Sequence, residues 1–313
     1  MIDRRAQQEV PVTPDDIEQA AERIDGRVRR TPVIEHDRVL LKLELLQHAG
    51  SFKPRGAFNR VLSEPSIPSS GLIAASGGNH GAAVAFVGRA LGLPVEVHVP
   101  STSPPIKRAN IERFGASVVV VDGYYDDAQR SANVRQACSA ALMVHPYDHV
   151  ATVAGQGTMA RELEHQLGRD AIDTIVVASG GGGFTAGQAA WFRDRVRVVS
   201  VEPETSQCLR AALRAGEVVD VSVGGIAADS LGAGRLGEVP FGVVRRFVDE
   251  AVTVTDDEIL DAQRALWNDL RLVVEPGGAT AYAAVRTGAY RPAPGERVVV
   301  AVCGANCDPT TIT

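Results

Sequence analysis

The sequence predicts an open α/β fold on three observations. Short runs rich in Val and Ile recur along the chain, they lack polar alternation, and helix-like segments separate them. Strands buried on both faces of a parallel sheet read this way, and strand–helix alternation is the pattern of α/β layers. The 313 residues allow two domains or one large one. Hydrophobic residues at 45% and charged residues at 22% supply a packed core and exclude wholesale disorder.

The first helix is announced by Thr13 as N-cap, Pro14 at the first helical position, and Asp15 and Asp16 complementing the helix dipole. The strand-like runs are 39–44, 72–76, 95–100, 117–121, 174–179, 196–202 and 297–302. Between them the apolar spacing predicts helices over 80–91, 104–114, 126–140, 150–167, 184–193, 206–215 and 256–270. SEPSIPSSG (63–71) reads as a linker, and 224–242 as a long Gly-rich loop of the kind that is more often functional than decorative. There is no internal repeat and no low-complexity tract.

Composition removes several function classes. The charge sum is 32 basic against 38 acidic residues, a net −6, so binding to nucleic acid by phosphate neutralisation is not expected. No apolar run reaches the length of a membrane span, and MIDRRAQQEVPVTPDD lacks the apolar stretch of a secretory signal. The cysteines at 138, 208, 303 and 307 are dispersed except for one C-x3-C pair without a nearby His. Reduced thiols in a cytoplasmic metabolic protein are the expectation. The basic set is lopsided, with 29 Arg and only Lys42, Lys53 and Lys107. Arg stays protonated while Lys can become a nucleophile, so amine chemistry has three candidates.

Four polar or Gly-rich turns each follow a strand-like run, where ligands bind in open α/β sheets. Ser179-Gly180-Gly181-Gly182-Gly183-Phe184-Thr185 precedes a helix, and its exposed backbone amides suit an anion such as phosphate. No Lys follows the run and no dinucleotide fingerprint is present, which disfavours ATP and NAD. In Ser51-Phe52-Lys53-Pro54-Arg55-Gly56-Ala57, Lys53 reads equally as a functional or a surface residue. Lys42 lies in a strand-like run, and Lys107 opens a helix on what is expected to be a solvated basic face. Ser76-Gly77-Gly78-Asn79-His80-Gly81 offers donors for a carboxylate at a helix start, with His80 read as structural rather than catalytic. Cys303-Gly304-Ala305-Asn306 ends the last strand, and a small buried Cys is the common fate of such a residue.

SFKPRGA, SGGNHG, SGGGG and CGAN in that order resemble the fold-type II pyridoxal-phosphate (PLP) enzymes, specifically the serine/threonine dehydratase and serine racemase family. TPVIEHDRVLLKLELLQHAGSFK and VEPGGA (274–279) are similar to segments of the same family, and the resemblance covers residues 13–308. It implies two open, twisted, mostly parallel sheets flanked by helices, with PLP between two domains. These would be a large PLP-binding domain of residues 1–48 plus 146–313 and a small substrate domain of 49–145. It implies that Lys53 forms the Schiff base with PLP, and that Gly180, Gly181, Gly182, Gly183 and Phe184 hold the phosphate end. Asn79 matches the contact to the phenolic oxygen, Cys303 the position at the pyridine nitrogen, and Phe52 a flank of the cofactor. Ser76, Gly77, Gly78, Asn79 and His80 match the turn that receives the substrate.

The implied reaction is dehydration of a β-hydroxy amino acid, L-threonine or L-serine, to a 2-oxo acid and ammonia, in a homodimer. Departures from the family pattern bear on this expectation. Racemases carry a second serine where this chain has Gly77, so two-base racemisation loses a partner. Glu202 matches a cation-binding glutamate, but Cys208 stands where its aspartate partner would be, so no metal is expected. Serine racemase and 3-hydroxyaspartate dehydratase are the close alternatives. A β-replacement enzyme related to cysteine synthase fits SFKPRGA and GNHG less well. A PLP-binding protein without turnover would not require Lys53. Arg55 and Arg235 read as structural ion-pair partners.

Overall fold

The structure is a computed structural model that describes residues 10–312. The secretory-signal expectation and the outer limits of the large domain fall partly on residues 1–9 and 313, which lie outside the described residues. The strands are β1 (Val33–His36), β2 (Val39–Lys42), β3 (Leu72–Ala75), β4 (Val95–Pro100), β5 (Ser117–Val121), β6 (Leu142–Met143), β7 (Thr174–Ala178), β8 (Arg197–Pro203), β9 (Glu250–Val254) and β10 (Val298–Ala301). The helices are α1 (Pro14–Arg23), α2 (Lys53–Leu62), α3 (Asn79–Leu91), α4 (Pro105–Glu112), α5 (Tyr125–Ser139), α6 (Val150–Leu167), α7 (Gly183–Phe192), α8 (Cys208–Ala215), α9 (Ala228–Leu231), α10 (Glu238–Phe247), α11 (Asp256–Leu270) and α12 (Pro276–Thr287).

The strands form two sheets. One is six-stranded in the order β1-β2-β10-β7-β8-β9, and the other is four-stranded in the order β5-β4-β3-β6. Every pairing is parallel except the β1–β2 hairpin. Parallel strands carry helices on both faces, which is why β3 and β10 are apolar along their whole length, β7 is apolar after Thr174, and all three are fully buried. The larger core packs around the six-stranded sheet from Leu41, Val176, Val199 and Val299. A second core packs around β3 and β4 from Phe58, Leu72, Val84 and Val97.

Every strand-like run read from the sequence is a strand, and Thr13 closes a capping box with Asp16 ahead of α1. The 63–71 linker lies between α2 and β3. The segment 224–242 departs from the expected structureless loop. It contains α9 and the start of α10, and the Asp220–Arg235 bridge and ion pair tie it to the residues just before it. Helix α12 was not foreseen. Pro276 at its first position masks a helix whose Ala-rich face is buried against the larger core.

Arg55 and Arg235 are structural. Arg55 is buried between Glu44 at 2.8 Å and Glu162 at 2.9 Å. Lys42 joins the same network through Glu162 at 2.5 Å and the Thr31 carbonyl at 2.8 Å. That network accounts for one of the three lysines without any chemistry. Arg235 sits at the surface against Asp220 and Glu238.

Candidate active site

A cavity of about 650 Å³ opens where the turns after β3, β7 and β10 converge. These are the carboxyl ends of parallel strands, where chain reversal leaves a crevice. The four turns singled out in the sequence all reach it, through Lys53, the 76–80 turn, the glycine run and Cys303.

Lys53 is delivered by a tight approach. Ala49 and Gly50 take φ of 56° and 72°, and a Cβ on Gly50 would lie 2.8 Å from Asn306 Oδ1. The turn is stitched to the end of β10: Ser51 bridges Gly304, Phe52 N donates to the Cys303 carbonyl at 3.2 Å, and Ala305 N to the Gly50 carbonyl at 2.9 Å. Lys53 then opens α2, with its Nζ donating to the Pro146 carbonyl at 3.0 Å and 5.1 Å from the Phe52 ring centre. Phe52 stacks on Phe184 at 3.9 Å between centroids. Burial pulls the Lys53 amine down to about 8, so a substantial fraction is neutral near physiological pH.

The glycine run is sterically obligatory. A Cβ at Gly181 would come within 2.4 Å of the Tyr147 ring, and one at Gly180 within 3.0 Å of the Leu231 backbone. Gly182 has φ of 85°, with Leu236 2.4 Å from its Cβ position. The run leads into α7, whose first-turn amides have no intrahelical acceptor. Ser179 Oγ pairs with Thr185 Oγ1 and accepts from Ser200 Oγ at 2.9 Å, fixing both ends of the turn.

On the opposite wall Ser76 Oγ accepts from Gly78 N at 3.2 Å, and Asn79 begins α3. Asn79 Nδ2 donates to the Glu275 carboxylate, while its Oδ1 accepts from Asn306 Nδ2 at 2.6 Å. His80 donates from Nε2 to the Val144 carbonyl at 2.6 Å. Burial, reinforced by Lys53, lowers it to about 3, so it is a neutral structural donor. The Cys303 thiol is buried 3.5 Å from the Gly277 carbonyl, and burial holds it far above the ordinary thiol range.

One sequence expectation changes. Lys107 is not on a solvated face: it is 4% exposed, 2.7 Å from Asp229 and 3.6 Å from Glu275. Helical periodicity cannot reveal carboxylates that arrive from residues 229 and 275, more than 120 positions away. Glu202 is buried and accepts from the Leu209 and Arg210 amides, both at 2.8 Å. It thus caps α8, and burial raises it to about 7. Tyr147 and Ser103 also line the cavity without having been singled out, in segments with no glycine signature of their own, and Asp229 reaches it from the Gly-rich segment 224–242.

A family model described as "Pyridoxal-phosphate dependent enzyme" matches residues 24–304. The chain is 36% identical over 309 residues to an L-threonine ammonia-lyase from Geobacter sulfurreducens, covering 95% of this chain and 76% of that protein. It is 32% identical over 309 residues to a serine racemase from Schizosaccharomyces pombe, covering 95% and 94%. The structure of maize serine racemase superposes with a TM-score of 0.89 at 30% identity, covering 96% of each chain. The chain therefore belongs to the pyridoxal-phosphate-dependent enzymes, with the fold-type II architecture.

Proposed function

We propose that the protein dehydrates a neutral β-hydroxy amino acid, L-threonine or L-serine, to a 2-oxo acid and ammonia. The observation that carries this reading is Lys53: a buried amine lowered to about 8, in one cavity with an amide cradle and a thiol that stays protonated.

The residues fit PLP. The glycine run leaves a cradle that any Cβ would fill, at a helix N-terminus suited to a phosphate. In the proposed arrangement Gly180, Gly181, Gly182, Gly183 and Phe184 hold the phosphate end, Phe52 flanks the ring, Asn79 meets the phenolic oxygen and Lys53 anchors the aldehyde carbon. Bound PLP supplies the electron sink for the pair left at the substrate Cα. Cys303, kept as a thiol, offers the ring nitrogen no full negative charge. Lys53 takes the Cα proton, and Ser76, Gly77 and Gly78, beside Asn79 and His80, receive the substrate carboxylate at the start of α3. Residues 1–48 plus 146–313 and 49–145 as the two domains, and a homodimer as the assembly, belong to the same reading.

The charge lining favours a neutral substrate over 3-hydroxyaspartate. Among the described lining residues Asp126, Asp229 and Glu275 are acidic, Asp229 and Glu275 share Lys107 as counter-charge, and there is no Arg, so a second substrate carboxylate finds no guanidinium to pair with. Serine racemisation is the second reading, favoured by the placement of Ser103 described next. The test supplies L-threonine, L-serine, their D-forms and threo-3-hydroxyaspartate and measures keto acid and ammonia. Keto acid from L-threonine or L-serine is expected; none from any substrate overturns the reading.

A further inference from the structure

The absence of a second serine at Gly77 removes a hydroxyl from the substrate turn, but the fold returns one from elsewhere. A Cβ built on Gly77 would lie 1.7 Å from Ser103 Oγ and 2.5 Å from Ser103 Cβ. The Ser103 hydroxyl therefore occupies the space that the Cβ of a serine at 77 would take, one bond from where its hydroxyl would be. Ser103 lines the cavity beside Gly77, Gly78 and Asn79. It is held in place by its neighbours. Its amide donates to the Pro100 carbonyl at 3.0 Å, and Pro104 and Pro105 follow immediately, restricting its backbone to extended conformations. The helix that starts there, α4, is pinned by Lys107 to Asp229 and Glu275.

We propose that Ser103 is the acid/base group on the substrate face opposite Lys53, so that the chain keeps a two-sided site and with it a racemase activity beside dehydration. This rests on the dehydratase reading above and deepens it. The step is a pair of proton transfers. The Cα–H bond on the Lys53 side would break with its proton going to the Lys53 amine, and bound PLP would supply the sink for the electron pair. A new Cα–H bond forms on the other side as the Ser103 O–H bond breaks. Water then removes the proton from Lys53 and returns one to Ser103, so both groups end as they began. Starting from the D-amino acid the roles reverse.

Two measurements on the holoenzyme test the proposal. The first is Cα-proton exchange of L-serine and D-serine in deuterated water. The Ser103→Ala variant is expected to slow exchange from D-serine at least tenfold more than exchange from L-serine. Equal slowing of both, or no exchange from D-serine in a wild type that forms keto acid from L-serine, overturns the proposal and leaves the dehydratase reading standing. Absence of keto acid and of exchange from either antipode overturns both. The second readout does not depend on turnover. Gly77→Ser should lower the melting temperature, because rotation of Ser103 cannot relieve a clash with its own Cβ. The Gly77→Ser/Ser103→Gly double variant should recover at least half of that loss and restore exchange from D-serine. Additive melting losses would show that the two positions do not share one space, and would sink the assignment.

Discussion

The ammonium of Lys107 sits 2.7 Å from the Asp229 carboxylate, joining α4 beside the four-stranded sheet to α9 in the segment that covers the cavity. The same ammonium is 3.6 Å from Glu275, whose other oxygen accepts from Asn79. One buried cation thus ties together the two sides of the cavity and the asparagine proposed to meet the cofactor. Burial opposes the charge on Lys107, but Glu275 and Asp229 more than offset it and raise its pKa.

Lys107→Met leaves Glu275 buried without its counter-charge, which costs about 3–5 kcal/mol in comparable buried pairs. Asp229 is 38% exposed and adds little to that loss. Adding Glu275→Gln to Lys107→Met should recover part of it. The check is a double-mutant cycle of urea midpoints, in which purely additive losses would show that the pair is not coupled.

Lys53 must be neutral to attack an aldehyde. With its amine at about 8, the rate of PLP uptake by apoenzyme should rise with pH and level off above about 8, far below the 10.5 of a free lysine. Stopped-flow absorbance across pH 6–10 follows it, on a scale set by free-amine chemistry. Lys53→Arg should form no borohydride-trappable adduct at any pH, because a guanidinium does not condense.

Gly181→Ala drives a methyl group into the Tyr147 ring. Overpacking of this kind costs about 1–3 kcal/mol, and here it should also weaken PLP retention. Tyr147→Ala combined with Gly181→Ala should restore PLP binding measured by fluorescence titration, whereas loss unaffected by the second substitution would rule out this contact as the cause.

Glu202 is an acid whose folded pKa, about 7, lies above its ordinary 4.5 because of burial. The folded state therefore binds the extra proton, and this group's stabilising contribution is present at low pH and lost as pH rises through 7. A shift of that size corresponds to at most about 3 kcal/mol between pH 4.5 and pH 8. Glu202→Gln should flatten that part of the pH–stability profile in chemical denaturation, while a profile identical to wild type would remove Glu202 as its source.

The local parts of the site were legible before the fold. The four turns after strands, the glycine run and the choice of Lys53 over its two rivals came from motif order, since each motif is a short stretch whose backbone needs are written in its own residues. Lys42 read correctly as a strand residue, although its burial in an ion network with Glu162 was invisible. Lys107 read wrongly as solvent-facing. The segment 224–242 read as loop because glycines hide a four-residue helix whose formation depends on packing against the cavity.

The sequence by itself determined the α/β layering and the position of the ligand crevice at strand ends, because strand burial, helix capping and turn chemistry are local, and the order of its motifs singled out Lys53 as the lysine proposed for the chemistry. Tertiary structure alone decided what surrounds those groups. It placed Asp229 and Glu275 on Lys107 and set the Ser103 hydroxyl into the space beside Gly77. Charge pairing, desolvation and steric overlap depend on distance in space, and residues 26 to 168 positions apart in the chain meet only when the sheets have been assembled.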